Sequence, residues 1–288
     1  GDIITECVND DINIVINSDS DNCLLSDVVE CDGTRGSASV DFDLHHHNNI
    51  KIMVWNVQGL GDKLKDSDFW GSISKFDIII FLETMKLDKY TPETGAYVYK
   101  HFQRKYQHPR ARKPSGGIGV LIRSNLHSSG SVTIIKNSDF SVWLRLKQNM
   151  YNDLFIAGIY IPPLDSTSTI SSFKNNNAYN LIQEEITNFS QKGSVALCGD
   201  FNARTGSLSD FLATPGNDNL SSINGLGSSD ELPKLSRYTE DNKSNKYGRE
   251  LIELCKSSNV RIMNGYFQND RSTGSYTCYT PRGKSLID

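Results

Sequence analysis

The chain has 288 residues, 37% of them hydrophobic, which suits one large domain or two small ones. No apolar run approaches the roughly 20 residues of a membrane helix, and no basic segment leading into an apolar one marks a secretory signal. The net charge of -4 divides unevenly: residues 1–48 carry -10 and the remainder +6.

The six cysteines form no CxxC pair. Cys198 and Cys255 sit in apolar patterns and read as small core residues, so a reducing, intracellular compartment is expected. The chain begins at Gly1 rather than Met, which reads as a fragment or a processed piece. Residues 1–48 are rich in Asp, Asn and Ser without a sustained period, and are expected to be a mostly disordered leader. Within them "INIVI" at 12–16 has the makings of a single strand. His45, His46 and His47 close the leader with no other metal-ligand type nearby and read as a solvated junction.

From Lys51 the texture changes. "KIMVWN" is a buried-strand pattern, "DSDFWGSISKF" a short helix, and "DIIIFLET" an apolar strand ending in Glu83. "GGIGVLIR" (116–123), "SVTIIK" (131–136), "FSVWLRLK" (140–147) and "LFIAGIY" (154–160) read as successive strands. Residues 175–191 form an amphipathic helix with Ala178, Leu181, Ile182, Ile186 and Phe189 near one face. "SVALCGD" is another buried strand. A Gly/Ser/Asn/Asp-rich loop spans 205–246, followed by a helix at 247–258, a strand at 260–264, and "SYTCYT" at 275–280. "GGIG" at 116–119 lacks the Lys-Ser/Thr ending of a phosphate loop and reads as backbone crowding at a strand start. Irregular alternation with hairpin-like strands in the middle implies an α/β fold with mixed sheets.

Several strands end in a polar residue: Asn56, Glu83, Tyr160, then Asp200 with Asn202, and Asp288 after "KSLI". Taken singly, each reads best as a turn residue. Taken together, they are candidates for one site at a sheet rim.

"VWNVQGL", "FLET", "GGIGVLI", "GIYIPP", "GDFNARTG" and "GKSLID" resemble, in order and rough spacing, the endonuclease/exonuclease/phosphatase superfamily. The resemblance covers residues 49–288, and its last third is most similar to the endonucleases of LINE-type (non-LTR) retrotransposons. It implies a four-layered αββα sandwich of two mixed sheets, deoxyribonuclease-like. The chain stops where the family continues into further strands, so the last strand or strands are expected to be lacking. The resemblance makes Glu83 the main Mg²⁺ ligand (Mn²⁺ being an alternative), with Asn56 beside it. Asp200 is the residue that orients or deprotonates the attacking water, Asn202 its neighbour on the same rim, and Tyr160 a contact to the scissile phosphate. Asp288 matches the Asp that supports the catalytic His. That His lies further along in the family, in a Ser-Asp-His motif, and none of the six histidines here fits it.

The implied activity is metal-dependent phosphodiester hydrolysis, nicking target DNA for retrotransposition in the complete protein. A reverse transcriptase downstream in the reading frame and a nuclear location go with it. Two alternatives stay open: a catalytically dead remnant with residual DNA binding, and a phosphoesterase acting on a lipid or inositol phosphate. Between residues 100 and 117 lie six bases and no acid: Lys100, Arg104, Lys105, Arg110, Arg112 and Lys113. The bases alone fit a solvated loop equally well; with the resemblance, contact to DNA is favoured. No membrane partner is expected.

Overall fold

The computed structural model describes residues 50–87, 89–105, 114–148, 152–164, 177–212 and 237–264, together with the backbone of five further short strands. Two mixed sheets lie face to face, each with helix on its outer side. The first sheet has five strands: β3 (Ala38–Phe42), β4 (Ile50–Asn56), β5 (Ile78–Leu82), β7 (Ile118–Arg123) and β6 (Tyr97–Phe102), in that spatial order. The second has six. From one edge they are β12 (Val260–Ile262), β2 (Asn13–Asn17), β11 (Gly193–Asp200), β10 (Asp153–Tyr160), β9 (Ser141–Leu146) and β8 (Val132–Asn137). A separate three-stranded sheet joins β1 (Val8–Asn9), β13 (Cys278–Thr280) and β14 (Gly283–Ser285).

The inner strands β5, β7, β9, β10 and β11 are buried on both faces, which is why the sequence shows near-continuous apolar runs there rather than alternation. In β4 and β5 the even residues Ile52, Val54, Ile78 and Ile80 meet Val142, Leu144, Ile156 and Ala196 of the second sheet, forming the central core. The odd residues Met53, Ile79 and Phe81 turn outward onto Phe69 and Ile73 of α1 (Ser67–Ile73). The second sheet repeats the arrangement. Trp143, Phe155, Val195 and Leu197 face Ile182, Ile186 and Phe189 of α3 (Ala178–Ser190) and Leu251 and Cys255 of α4 (Lys246–Ser258). A short α2 (Ser124–Ser128) follows β7. The order of layers is therefore helix, sheet, sheet, helix, as the resemblance implied. The sheets approach so closely at Gly158 that a Cβ there would lie 2.6 Å from Ile80 Cγ2.

The helices begin where side chains can satisfy their free N–H groups. Asp66 accepts from Asp68, Asn177 from Tyr179 and Asn245 from Gly248. α4 ends at Asn259, which adopts the left-handed conformation (φ 51°) common at helix C-termini. Inside the second layer, Glu185 of α3 is fully buried, yet its carboxylate accepts from Ser141 Oγ (2.8 Å) and Trp143 Nε1 (2.7 Å) and pairs with Lys136 (3.2 Å). Removing it would leave buried donors unsatisfied, so Glu185→Ala should cost about 2–4 kcal/mol in denaturant unfolding.

Of the acidic leader, residues 8–9, 13–17 and 38–42 are strands; the rest of 1–49 lies outside the described residues. β2 overlaps the "INIVI" stretch and pairs antiparallel with both β11 and β12, and β3 pairs antiparallel with β4. β6 answers to no expected strand. Its residues fall partly in the basic stretch, yet Tyr97, Tyr99 and His101 recur with the period of two that a strand requires.

Candidate active site

Each main sheet contains one parallel pair, β4 with β5 and β10 with β11. Parallel strands end on the same side, so each pair delivers its C-terminal residues to one rim. Asn56 lies in register with Leu82, the residue before Glu83, and Tyr160 with Asp200. Because the sheets are face to face, the two rims meet. Asn56 Nδ2 crosses from the first sheet to donate to Asp200 Oδ2 of the second at 2.8 Å.

Five of the six predicted catalytic and metal residues are thereby gathered. Tyr160 and Asn56 both lie beside the Glu83 carboxylate and favour its charged form. The other oxygen of Asp200, Oδ1, accepts from the Asn202 backbone N–H (3.0 Å) and its Nδ2 (2.9 Å). Asn202 Nδ2 also donates to the Ile161 carbonyl (2.8 Å), so this amide is committed to holding Asp200. Asn56 is likewise more than a neighbour of a cation. Its Oδ1 accepts from the Gln58 N–H at 3.1 Å, and its amide donates to Asp200 while lying beside Glu83. Asp288 lies outside the described residues.

Asn56, Asp200 and Tyr160 are each no more than 5% exposed, whereas Glu83 and Asn202 are half-buried and open the site to solvent. Burial pushes the Glu83 carboxyl above the usual carboxylate range; the Tyr160 hydrogen bond opposes this and the Asp200 charge adds to it. Burial, followed by the charges of Glu83 and Asp200, pushes the Tyr160 phenol well above its ordinary value, so Tyr160 is a neutral hydrogen-bond donor at pH 7. Glu83 and Asn202 both have left-handed backbone, φ 56° and 50°. For Glu83 this conformation costs on the order of 1–3 kcal/mol. It is held by hydrogen bonds on either side: Gly59 N to Glu83 O (2.7 Å), and Thr84 N to Gly117 O (3.1 Å).

A raised Glu83 pKa carries a sign. The unfolded chain releases this proton first, so Glu83 contributes stability below the ordinary carboxylate range and loses it as pH rises through the raised value. In chelator, Glu83→Gln should therefore melt higher than wild type at neutral pH. The gap should close as the pH falls below about 4.5, the ordinary value.

Sequence reasoning missed several residues that shape the site. Thr84 Oγ1 and His101 Nε2 lie 2.7 Å apart, placing a histidine one residue from Glu83. The period-two aromatic pattern of β6 was the available signal. Gly116 and Gly117 confirm the crowding expected of "GGIG": a Cβ at Gly117 would lie 2.8 Å from Thr84 Oγ1. Asn245, the cap of α4, donates from Nδ2 to the Asn202 carbonyl (2.9 Å) and ties the helix to the "GDFN" loop.

The six predicted DNA-contacting bases separate. Lys100 and Lys105 are exposed, Arg104 is only 2% exposed, and Arg110, Arg112 and Lys113 lie outside the described residues.

The sequence profile described as the Endonuclease/Exonuclease/phosphatase family matches residues 53–288. The chain belongs to that family. No curated protein matches it. Among solved structures, similarity extends to an AP endonuclease from Leishmania major, at 14% identity, covering 57% of this chain and 59% of that one with a TM-score of 0.43. The catalytic domain of APE2 from Xenopus laevis shows 17% identity over 58% of this chain and 62% of its own, TM-score 0.40. A 3′ phosphatase from Neisseria bound to product DNA hairpin shows 14% over 55% and 59%, TM-score 0.37. The chain thus spans about three fifths of the length of these structures.

A divalent cation fits the donor set. Two carboxylates, Glu83 and Asp200, lie close enough at this rim for the charge of one to bear on the other, and their mutual repulsion favours a positive ion. Among the described residues no cluster of three or more His, Cys, Asp and Glu forms a closed cage. Mg²⁺ needs no such cage, since it is commonly held by one or two carboxylates while keeping waters and substrate oxygens.

Proposed function

We propose that this protein hydrolyses phosphodiester bonds in DNA with the help of Mg²⁺ or Mn²⁺. The observation that carries the reading is the joint made by Asn56: from the sheet whose neighbouring strand ends at Glu83, its amide donates across to Asp200 of the other sheet. Glu83 would hold the cation, whose charge offsets that developing on the phosphate. Asp200, its two oxygens fixed by Asn56 and Asn202, is positioned to orient a water and take its proton. Tyr160, neutral and buried beside Glu83, turns its one hydroxyl proton from that carboxylate to a phosphate oxygen. The exposed Lys100 and Lys105 extend the contact along the backbone of the nucleic acid.

The finer reading is that the complete protein nicks target DNA for retrotransposition, with a reverse transcriptase following in the same reading frame and a nuclear place of work. Its support is the likeness of "YGRELIELCKSSNVRIMNGYFQNDRSTGSYTCYTPRGKSLID" to endonucleases of LINE-type elements. Substrate choice is tested by offering the full reading-frame product supercoiled plasmid and, separately, inositol phosphates and sphingomyelin. Cleavage of plasmid, weakening steeply between 50 and 200 mM salt, is expected. Release of phosphate from the inositol phosphates or of phosphocholine from sphingomyelin, with intact plasmid, would replace DNA by a lipid or inositol phosphate.

A further inference from the structure

Arg104 stands apart from the other bases of its segment. It is 2% exposed, whereas the adjoining Lys105 is exposed. Its guanidinium lies over the Phe140 ring, 6.0 Å from the centroid. Its Cδ fills the space that a side chain at Gly116 would need, 3.0 Å from an ideal Cβ there, and the Tyr160 ring edge is 3.8 Å from the same point. Arg104 and Tyr160 are therefore neighbours across Gly116. The charge of Arg104 is felt by both Glu83 and Tyr160. The centre thus contains two carboxylates and one fixed guanidinium, and a guanidinium remains charged at any working pH.

We propose that Arg104 is the built-in cation of this site, offsetting part of the Glu83 charge so that a phosphodiester anion is admitted beside the carboxylates. This rests on the phosphodiesterase reading above and adds to it a residue whose role is electrostatic rather than DNA tracking. The same charge opposes a divalent ion at Glu83, so the two ligands respond to Arg104 with opposite sign. A purely structural role predicts otherwise: loosening Glu83 would weaken both.

The test measures binding, not turnover. Mn²⁺ is titrated into the full-length protein by calorimetry, and a short DNA duplex is titrated separately in chelator. Arg104→Gln is expected to bind Mn²⁺ about tenfold more tightly and duplex about tenfold more weakly, a shift of the size one displaced charge produces in a half-buried site. Arg104→Lys, which keeps the charge, should bind Mn²⁺ as wild type does. Lys105→Gln should lower the salt slope of DNA binding by about one and leave Mn²⁺ affinity alone. If Arg104→Gln does not fold, Arg104→Met, which retains the stem packed against Gly116, takes its place. Unchanged or weaker Mn²⁺ binding in the neutral variant, or tightening in Arg104→Lys, overturns the proposal alone. No Mn²⁺ binding to the wild type overturns the functional reading together with it.

Discussion

Asp200→Ala is expected to slow DNA nicking by about 10³-fold while leaving the protein folded. The carboxylate is buried and both of its oxygens are occupied, Oδ2 by Asn56 and Oδ1 by the backbone and side chain of Asn202. Its direction is therefore fixed before substrate arrives, and no other described carboxylate on this rim is held in the same way. The isosteric Asp200→Asn should lose nearly as much. Its NH₂ must face either the Asn56 amide or the Asn202 donors, so one donor pair is left in conflict, and the group no longer accepts a proton. Asn202→Ala should cost less, about 10- to 100-fold, because it loosens Asp200 without removing it. Single-turnover nicking rates at saturating Mg²⁺, with circular dichroism to verify the fold, read all three.

The second large effect lies away from the chemistry. Gly248 opens the first turn of α4, and a Cβ there would sit 1.7 Å from the Arg204 carbonyl oxygen. Alanine is worth about 1 kcal/mol over glycine in a helix interior, which would favour the change. Overlap with a backbone carbonyl cannot be relieved by a rotamer, and overpacking costs about 1–3 kcal/mol or more. The strand-following loop cannot move away freely. Arg204 O accepts from Asn245 N (3.0 Å), and the Arg204 guanidinium makes a double hydrogen bond to Asp241 (2.8 and 2.6 Å). Clash therefore wins, and Gly248→Ala should destabilise by about 2 kcal/mol, lowering Tm by about 5 °C. Because Asn245 also holds the Asn202 carbonyl, the displaced helix start should shift Asn202 and cut activity in the folded fraction. A melting curve and a nicking assay on one preparation would show both.

What the chain disclosed beforehand follows from how far each interaction reaches. The sandwich was legible because its inner strands are doubly buried and so written as apolar runs, and because polar residues close those runs at Asn56, Glu83, Tyr160 and Asp200. Parallel pairing then brings those ends together, and a strand-ending residue is a local signal. Arg104 was misread as a solvent-facing base because its burial depends on Phe140, 36 residues on, and on the missing side chain of Gly116. His101 escaped notice for a similar reason. Its partner Thr84 reaches it only through the β5–β7–β6 order of the sheet. The clamp at Asn245 joins residues more than 40 positions apart and looks, in sequence, like an ordinary cap. Nor does an acidic segment advertise that "NIVIN" lies between β11 and β12, since pairing there is a property of the sheet.

The central claim is that Glu83 and Asp200 form one metal-assisted phosphodiesterase centre. It is tested most directly by incubating supercoiled plasmid with the full reading-frame product in Mg²⁺, in chelator, and as the Glu83→Ala variant. The account predicts open circles with wild type and Mg²⁺, and intact supercoils in the other two. Equal nicking by Glu83→Ala, or nicking that persists in chelator, would contradict it.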